Sequence, residues 1–161
     1  MKRSNLITSA GATRLRNELA HLWKRLRPEV TRAITAAAAE GDRSENAEYI
    51  YRKKQLREID RRVRYLQKRT AEMQVIEHIP SDQEKIFFGA KVTLISQEDK
   101  TIVYRIVGSD EFDHEPEYIS VDSPMARALL GKYLDDEISV TLPNGRETFW
   151  VTDINYPNPL E

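Results

Sequence analysis

The sequence predicts an α+β chain: an N-terminal antiparallel α-helical coiled-coil hairpin, then a small C-terminal antiparallel-sheet domain with one short helix. Three observations predict it. Apolar residues up to Met73 recur at spacings of three and four, the mark of a helical face. After Glu84 the pattern changes to short, β-branched runs broken by turn residues. Charge divides at the same place. Up to Ile76 there are 18 Lys plus Arg against 9 Asp plus Glu, net +9, and from Glu77 onward 7 against 17, net −10. Such asymmetry implies two surfaces with different partners, the basic one suited to nucleic acid or an acid-lined channel. Residues 1–76 are read as the hairpin with an acidic tip near 41–49, residues 77–84 as a linker, and residues 85–161 as the sheet domain.

Thr8 or Ser9 can cap the first helix, because either hydroxyl can accept from a free amide of the first turn. Leu15, Leu19, Leu22, Leu26, Val30, Ile34 and Ala37 continue as a narrow seam. Pro28 predicts a kink near Arg27, since proline lacks the amide donor and crowds the preceding turn. Ala36 to Ala39 keep the far end slim. Gly41, the only glycine between Gly11 and Gly89, reads as a left-handed residue where this helix stops and the chain turns back. A second helix is expected from near Asp42 to Glu45. Its seam is Tyr49, Leu56, Ile59, Val63, Leu66, Thr70 and Met73, with Arg52 as a local weakness. At ~1.5 Å per residue, arms of about 30 residues give a hairpin roughly 45 Å long.

Lys54, Arg57, Arg61, Arg64 and Lys68 form a stripe of their own, two residues from the seam and so pointing away from the partner helix. Arg62 and Arg69 flank it. A solvated helix face would look similar. Between Arg52 and Arg69, however, only Glu58 and Asp60 break the run of positive charge. Repulsion with few i,i+4 partners favours a polyanion-facing surface.

In the second half, Ile86–Phe88, Lys91–Ile95, Thr101–Val107, Tyr118–Val121, Ile138–Leu142 and Thr148–Ile154 are expected strands. Pro143-Asn144-Gly145-Arg146 supplies an Asn-Gly hairpin turn. Ser123 caps a short helix with Pro124 at its first position, and Gly131 ends it. Phe149 and Trp150 are expected to pack on or edge the sheet.

With no cysteine, disulfides and thiolate metal sites are excluded. No apolar run is long enough for a signal peptide or a membrane span. A soluble, cytoplasmic protein without membrane contact is expected. His21, His78 and His114 lack ligand spacing, and no Gly-rich phosphate loop or nucleophilic triad is visible. The tip acids Asp42 and Glu45 remain, and two readings stand. Asp-x-x-Glu at a helix start resembles a capping box, each side chain serving the other's amide. Alternatively, two carboxylates at an exposed tip bind a divalent cation. Magnesium is commonly held by one or two protein carboxylates completed by water and substrate phosphate.

Gly41-Asp42-Arg43-Ser44-Glu45-Asn46-Ala47-Glu48-Tyr49 resembles the tip signature of Gre-type bacterial transcript cleavage factors. Phe87-Phe88-Gly89-Ala90, Arg105-Ile106-Val107-Gly108 and the run Ser120 to Leu130 also resemble family segments. Trp23, Arg27-Pro28-Glu29-Val30 and the run Arg57 to Leu66 resemble the GreB branch rather than GreA. The resemblance spans nearly the whole chain. It implies a hairpin that enters the secondary channel of a backtracked bacterial RNA polymerase. Asp42 and Glu45 would share a magnesium ion with the polymerase, which supplies the first metal, and none would be bound by the free protein. Asn46 and Tyr49 match tip positions with a positioning role. Lys54, Arg57, Arg61, Arg64 and Lys68 match a basic patch facing the extruded RNA 3′ end. Asp122, Ser123 and Pro124 match a contact on the polymerase rim, and the C-terminal domain is expected to be FKBP-like.

The resemblance thus implies a monomeric accessory factor, not an independent enzyme, that stimulates endonucleolytic RNA cleavage. The alternative is a non-catalytic module of the same fold that occupies the channel or holds nucleic acid. A prolyl isomerase is suggested by the expected C-terminal fold alone, and fold does not imply function.

Overall fold

Two helical arms pair through the seam that the sequence spacing describes. The computed structural model describes residues 2–41 and 46–160. Its contacts divide the chain into two units: Thr13–Glu72, and the residues up to Ala12 together with those from Met73 onward. The first arm comprises α1 (Ser9–His21), a π-helical turn (Leu22–Leu26) and α2 (Arg27–Ala38), and the returning arm is α3 (Ala47–Glu72). Val30, Ile59 and Val63 are buried between the arms, with Leu19, Leu22, Leu26, Ile34 and Leu56 packed around them. Two ion pairs cross the seam in antiparallel register, Arg27 to Asp60 at 2.8 Å and Arg62 to Glu18 at 2.7 Å.

The expected disturbance at Pro28 takes the form of the π turn. The Arg27 amide donates to the Leu22 carbonyl, while His21, Leu26 and Arg27 keep right-handed helical dihedrals. The wider turn absorbs proline's missing donor just before Pro28, so the arm does not break.

The other unit holds a five-stranded sheet in the order β5-β4-β3-β7-β6. Its strands are β3 (Lys91–Ser96), β4 (Thr101–Val107), β5 (Tyr118–Ser120), β6 (Glu137–Leu142) and β7 (Gly145–Asn155). All neighbours are antiparallel except β4 and β5. Alternation along β3 turns Val92 and Leu94 into the core. There they meet Ile138 and Val140 of β6, Phe149 and Val151 of β7, and Met125, Ala126 and Leu129 of the short helix α4 (Pro124–Leu129). As expected, the Ser123 hydroxyl accepts from the Ala126 amide with Pro124 at the first helical turn, and Gly131 follows at φ +84°.

Three expectations need correction. Ile86–Phe88 is not a strand. Ile86 is fully buried, but its backbone pairs with the chain after α4, to Lys132 and Gly131, and Phe87–Ala90 then forms a turn with Gly89 at φ +89°. Its apolar run signals burial rather than sheet pairing. The last hairpin turns at Pro143-Asn144, one residue early, and Gly145 opens β7 at φ +120°. Finally, the ends assigned to the hairpin belong with the sheet unit. β1 (Leu6–Thr8) pairs in parallel with β2 (Gln74–Ile76), a three-residue ladder too short to show periodicity.

Glu111 fastens that N-terminal strand. Only 3% exposed, its carboxylate accepts from the Thr8 amide at 2.8 Å, the Thr8 hydroxyl at 2.6 Å and the Gly108 amide at 2.9 Å. The same Thr8 hydroxyl accepts from the Gly11 amide, capping α1 as expected. Gly11 and Gly108 lie so close that a Cβ on either would overlap the carboxylate. Glu111→Gln turns a donating amide toward donors and is expected to lower the stability of this unit by roughly 2 kcal/mol, read by calorimetric unfolding.

Tyr156 gives a pH signature. Its hydroxyl accepts from the Phe87 amide at 2.9 Å and donates to the Lys85 carbonyl. Burial raises its pKa above the ordinary 10.0, opposed by the Phe87 hydrogen bond and aided by the charge of Asp82. The folded chain therefore holds a proton that the unfolded chain releases. The resulting stability is present below pH 10 and falls as pH rises through the folded value. Denaturant unfolding followed from about pH 9 to 11 should show a shallower alkaline loss in Tyr156→Phe than in the parent.

Candidate functional site

The tip is built where two helix ends meet. α2 ends at Ala38, and Gly41 follows at φ +118°, the left-handed conformation expected of it. α3 starts at Ala47, and its cap is Asn46. The Asn46 carbonyl accepts from the Ile50 amide at 3.0 Å, and its side-chain oxygen accepts from the Tyr49 amide at 3.0 Å. The side-chain nitrogen of Asn46 donates to the Ala37 carbonyl at 2.7 Å. One amide thus satisfies an orphan donor of α3 and adds a second hydrogen bond to the Ala37 carbonyl, which also accepts from the Glu40 amide at 3.2 Å.

The sequence had put the cap at Asp42 and Glu45. Those two residues lie outside the described residues, and the first described turn of α3 is served by Asn46. Asparagine ranks with aspartate as a cap, and its N3 partner is Tyr49. That signal was present but overshadowed by the Asp-x-x-Glu pattern. Tyr49, the other expected tip-positioning residue, is half-buried beside Asn46 with the Lys53 ammonium 6.0 Å from its ring centroid.

The expected basic face is present. Lys54, Arg57, Arg61, Arg64 and Lys68 are all exposed along α3. None of the five has an ion-pair partner among the described residues. Two of the nearby acids are engaged elsewhere, Asp60 with Arg27 and Glu48 with Arg52 at 2.9 Å, while Glu58 stays exposed beside the stripe. The Asp60 hydrogen bond, then its charge, raises the Arg27 pKa above its ordinary value. The two flanking arginines do not join the stripe. Arg62 reaches across the seam to Glu18, and Arg69 is buried at 8% exposure. Arg62 sits one residue from the seam position Val63, where a long side chain can turn toward the partner helix.

Asp122, Ser123 and Pro124 come together between β5 and α4. The Asp122 carboxylate accepts from the Ser4 amide at 2.8 Å and Ser123 caps α4, so both have structural duties that sequence reading gave only to Ser123. Pro124 is exposed.

Asn46→Ala is expected to lower the stability of the helical unit by about 1–2 kcal/mol through the lost cap and the lost side-chain bond to the Ala37 carbonyl. Asn46→Asp keeps the cap but sets a carboxylate against that carbonyl. Its loss in thermal unfolding, relative to the parent, measures the link between the arms.

Comparison with known proteins matches this architecture. The family model "Transcription elongation factor, N-terminal" covers residues 5–75, and "Transcription elongation factor, GreA/GreB, C-term" covers residues 81–156. The chain is 51% identical to the transcription elongation factor GreB of Yersinia pestis, over 97% of this chain and 91% of that one. It is 53% identical to GreB of Haemophilus ducreyi, over 97% and 96%. It is also similar to the solved structure of GreA factor homolog 1 of Thermus thermophilus, with 26% identity, coverage of 95% and 99%, and a TM-score of 0.43. With the two family models together covering most of the sequence and GreB relatives at about half identity, this chain belongs to the GreA/GreB family of transcription elongation factors, on its GreB branch.

Proposed function

We propose that this elongation factor places its hairpin tip in the secondary channel of a backtracked bacterial RNA polymerase and stimulates endonucleolytic cleavage of the extruded RNA 3′ end. The observation that carries the reading is the Asn46 cap. Asn46 caps the first described turn of α3 and ties it to Ala37 at the end of α2, so the segment that carries Asp42 and Glu45 joins two helix ends held together. Their hard carboxylate oxygens suit magnesium, which accepts one or two protein carboxylates and takes its remaining ligands from water and phosphate. Asp42 and Glu45 would hold the ion jointly with the polymerase, and the factor is an accessory rather than an enzyme by itself. When bound, magnesium supplies Lewis-acid stabilisation of the oxygens in phosphodiester hydrolysis.

The chain's own contribution is placement. Asn46 holds the ends of α2 and α3 together, so the acidic segment is presented from a fixed base. The free cations of α3 offer a track for the backbone of the extruded RNA. The exposed Pro124, with Asp122 and Ser123 beside it, would meet the polymerase rim. The factor acts as a monomer in the cytoplasm.

The unpaired basic face also favours a second reading, a module that holds nucleic acid or fills the channel without chemistry. The two readings separate on one experiment. Asp42→Asn and Glu45→Gln, singly and together, are assayed for RNA cleavage in a backtracked polymerase complex, beside polymerase affinity and thermal stability. Cleavage is expected to fall by at least about 100-fold in the double variant, the scale of a lost electrostatic contribution to a transition state, with affinity and stability held. Cleavage at the parent rate would take the two acids out of the chemistry and leave them to the helix start. A parent that binds RNA with salt-sensitive affinity but has no magnesium-dependent effect on stalled complexes would leave only the non-catalytic module.

A further inference from the structure

The π turn at the place of the expected kink carries an exposed aromatic ring. Trp23 lies within it, 52% exposed. It lines a notch of about 280 Å³ with Arg16, Leu19, Ala20, Lys24 and Gln67. The floor is apolar, the rim carries two cations, and none of the lining residues is acidic. Arg16 and Lys24 are exposed and have no ion-pair partner among the described residues. Arg64 of the basic face lies one turn from Gln67 on α3, on the same flank. The only carboxylate of that row, Asp60, is engaged by Arg27.

The ring is also held. The Arg27 guanidinium lies 5.3 Å from the Trp23 ring centroid, and Arg27 is fixed in turn by its hydrogen bond to Asp60. This Asp60–Arg27–Trp23 relay orients a large, half-exposed indole on a surface that is otherwise cationic. Such a surface, an aromatic face set among phosphate-binding cations, is the chemistry that single-stranded nucleic acid uses, with bases on the ring and phosphates on the cations.

We propose that Trp23 is a base-stacking platform for single-stranded RNA, with Arg16, Lys24 and Arg64 holding the flanking phosphates. The proposal rests on the reading above that RNA runs along the hairpin, and it adds a second fixed point to that path. From Trp23 to Ala38 the helix advances roughly 22 Å at ~1.5 Å per residue. That span corresponds to roughly seven nucleotides at ~3.4 Å each along a stacked strand. Short extruded ends would meet only the cations of α3 nearest the tip, and longer ones would reach the platform. Trp23 would therefore favour the longer fragments. An acidic protein segment is the less favoured occupant, because the stripe from Lys68 to Lys54 continues from the notch toward the tip as a phosphate track does.

The test uses the full-length protein and a fluorescently labelled 12-nucleotide single-stranded RNA at low salt. Trp23→Ala should weaken binding at least about fivefold, while Trp23→Phe, which keeps a ring, should retain most of it. Arg16→Gln with Lys24→Gln should weaken binding and flatten its salt dependence. Trp23 is half exposed, so the thermal midpoint should hold in all variants. In backtracked complexes, Trp23→Ala should slow cleavage of RNA extruded by ten nucleotides and leave two-nucleotide ends unaffected.

Three results would overturn the platform: no RNA binding by the parent, equal binding by parent and Trp23→Ala, or equal loss in the Ala and Phe variants. If Trp23→Ala instead lowers affinity for RNA-free polymerase while RNA binding stays intact, the notch is a protein-docking surface and the proposal is wrong. Neither binding measurement uses metal or cleavage. The platform can thus stand if the tip acids prove inert, and can fall while they prove active.

Discussion

The helical unit turns on the side chain of Asn46. A chain that reverses between two long helices leaves unsatisfied carbonyls at one end and unsatisfied amides at the other. Asn46 reaches both ends with one amide group, accepting from Tyr49 at 3.0 Å and donating at 2.7 Å to the Ala37 carbonyl, which also accepts from the Glu40 amide. Gly41 supplies the left-handed turn that brings the chain back. This closure ties together the two helix ends that the tip segment joins. The arms themselves are held by a thin apolar seam and by the Arg27–Asp60 and Arg62–Glu18 pairs. Exposed pairs contribute little stability, typically ~0–1 kcal/mol. Their larger effect is to withdraw charge selectively. They occupy Asp60 and Glu18, and the five cations of the α3 stripe keep no ion-pair partner among the described residues.

The sheet unit is governed by a different kind of contact. Buried Glu111 accepts three hydrogen bonds, two of them from Thr8, and the glycines at 11 and 108 leave room for it. The first strand is thereby fixed by a carboxylate more than a hundred residues away in sequence. Asp122 adds a similar tie to Ser4. Residues that carry charge in this acidic half therefore serve the fold as well as its surface.

These contacts mark what the sequence could show. Periodicity made the seam of both arms legible, because burial of a helix face repeats every three or four residues. It also made β3 and β6 legible, because alternation repeats every two, while β4 was readable as a β-branched run. The basic stripe was readable for the same reason, being a face of α3. Contacts that occur once leave no period. The Glu111 anchor, the three-residue β1–β2 pair and the Asn46 link join positions whose distance in sequence says nothing of their meeting in space. Ile86–Phe88 misled because an apolar run reports burial and not the pairing that achieves it. Pro28 signalled a disturbance, and only the structure shows that a π turn absorbs it and sets Trp23 at the surface. At the tip, one pattern concealed another: Asp42 and Glu45 fit a capping box so well that the equally good cap at Asn46 was given only a positioning role.

The central claim is that the tip acids serve a metal and not the helix. Its most direct test is the magnesium dependence of RNA cleavage in a backtracked polymerase complex, measured with the parent and with Asp42→Asn. The account predicts that the variant needs a higher magnesium concentration for half-maximal cleavage while its unfolding midpoint is unchanged. Superimposable magnesium curves for the two proteins would contradict it.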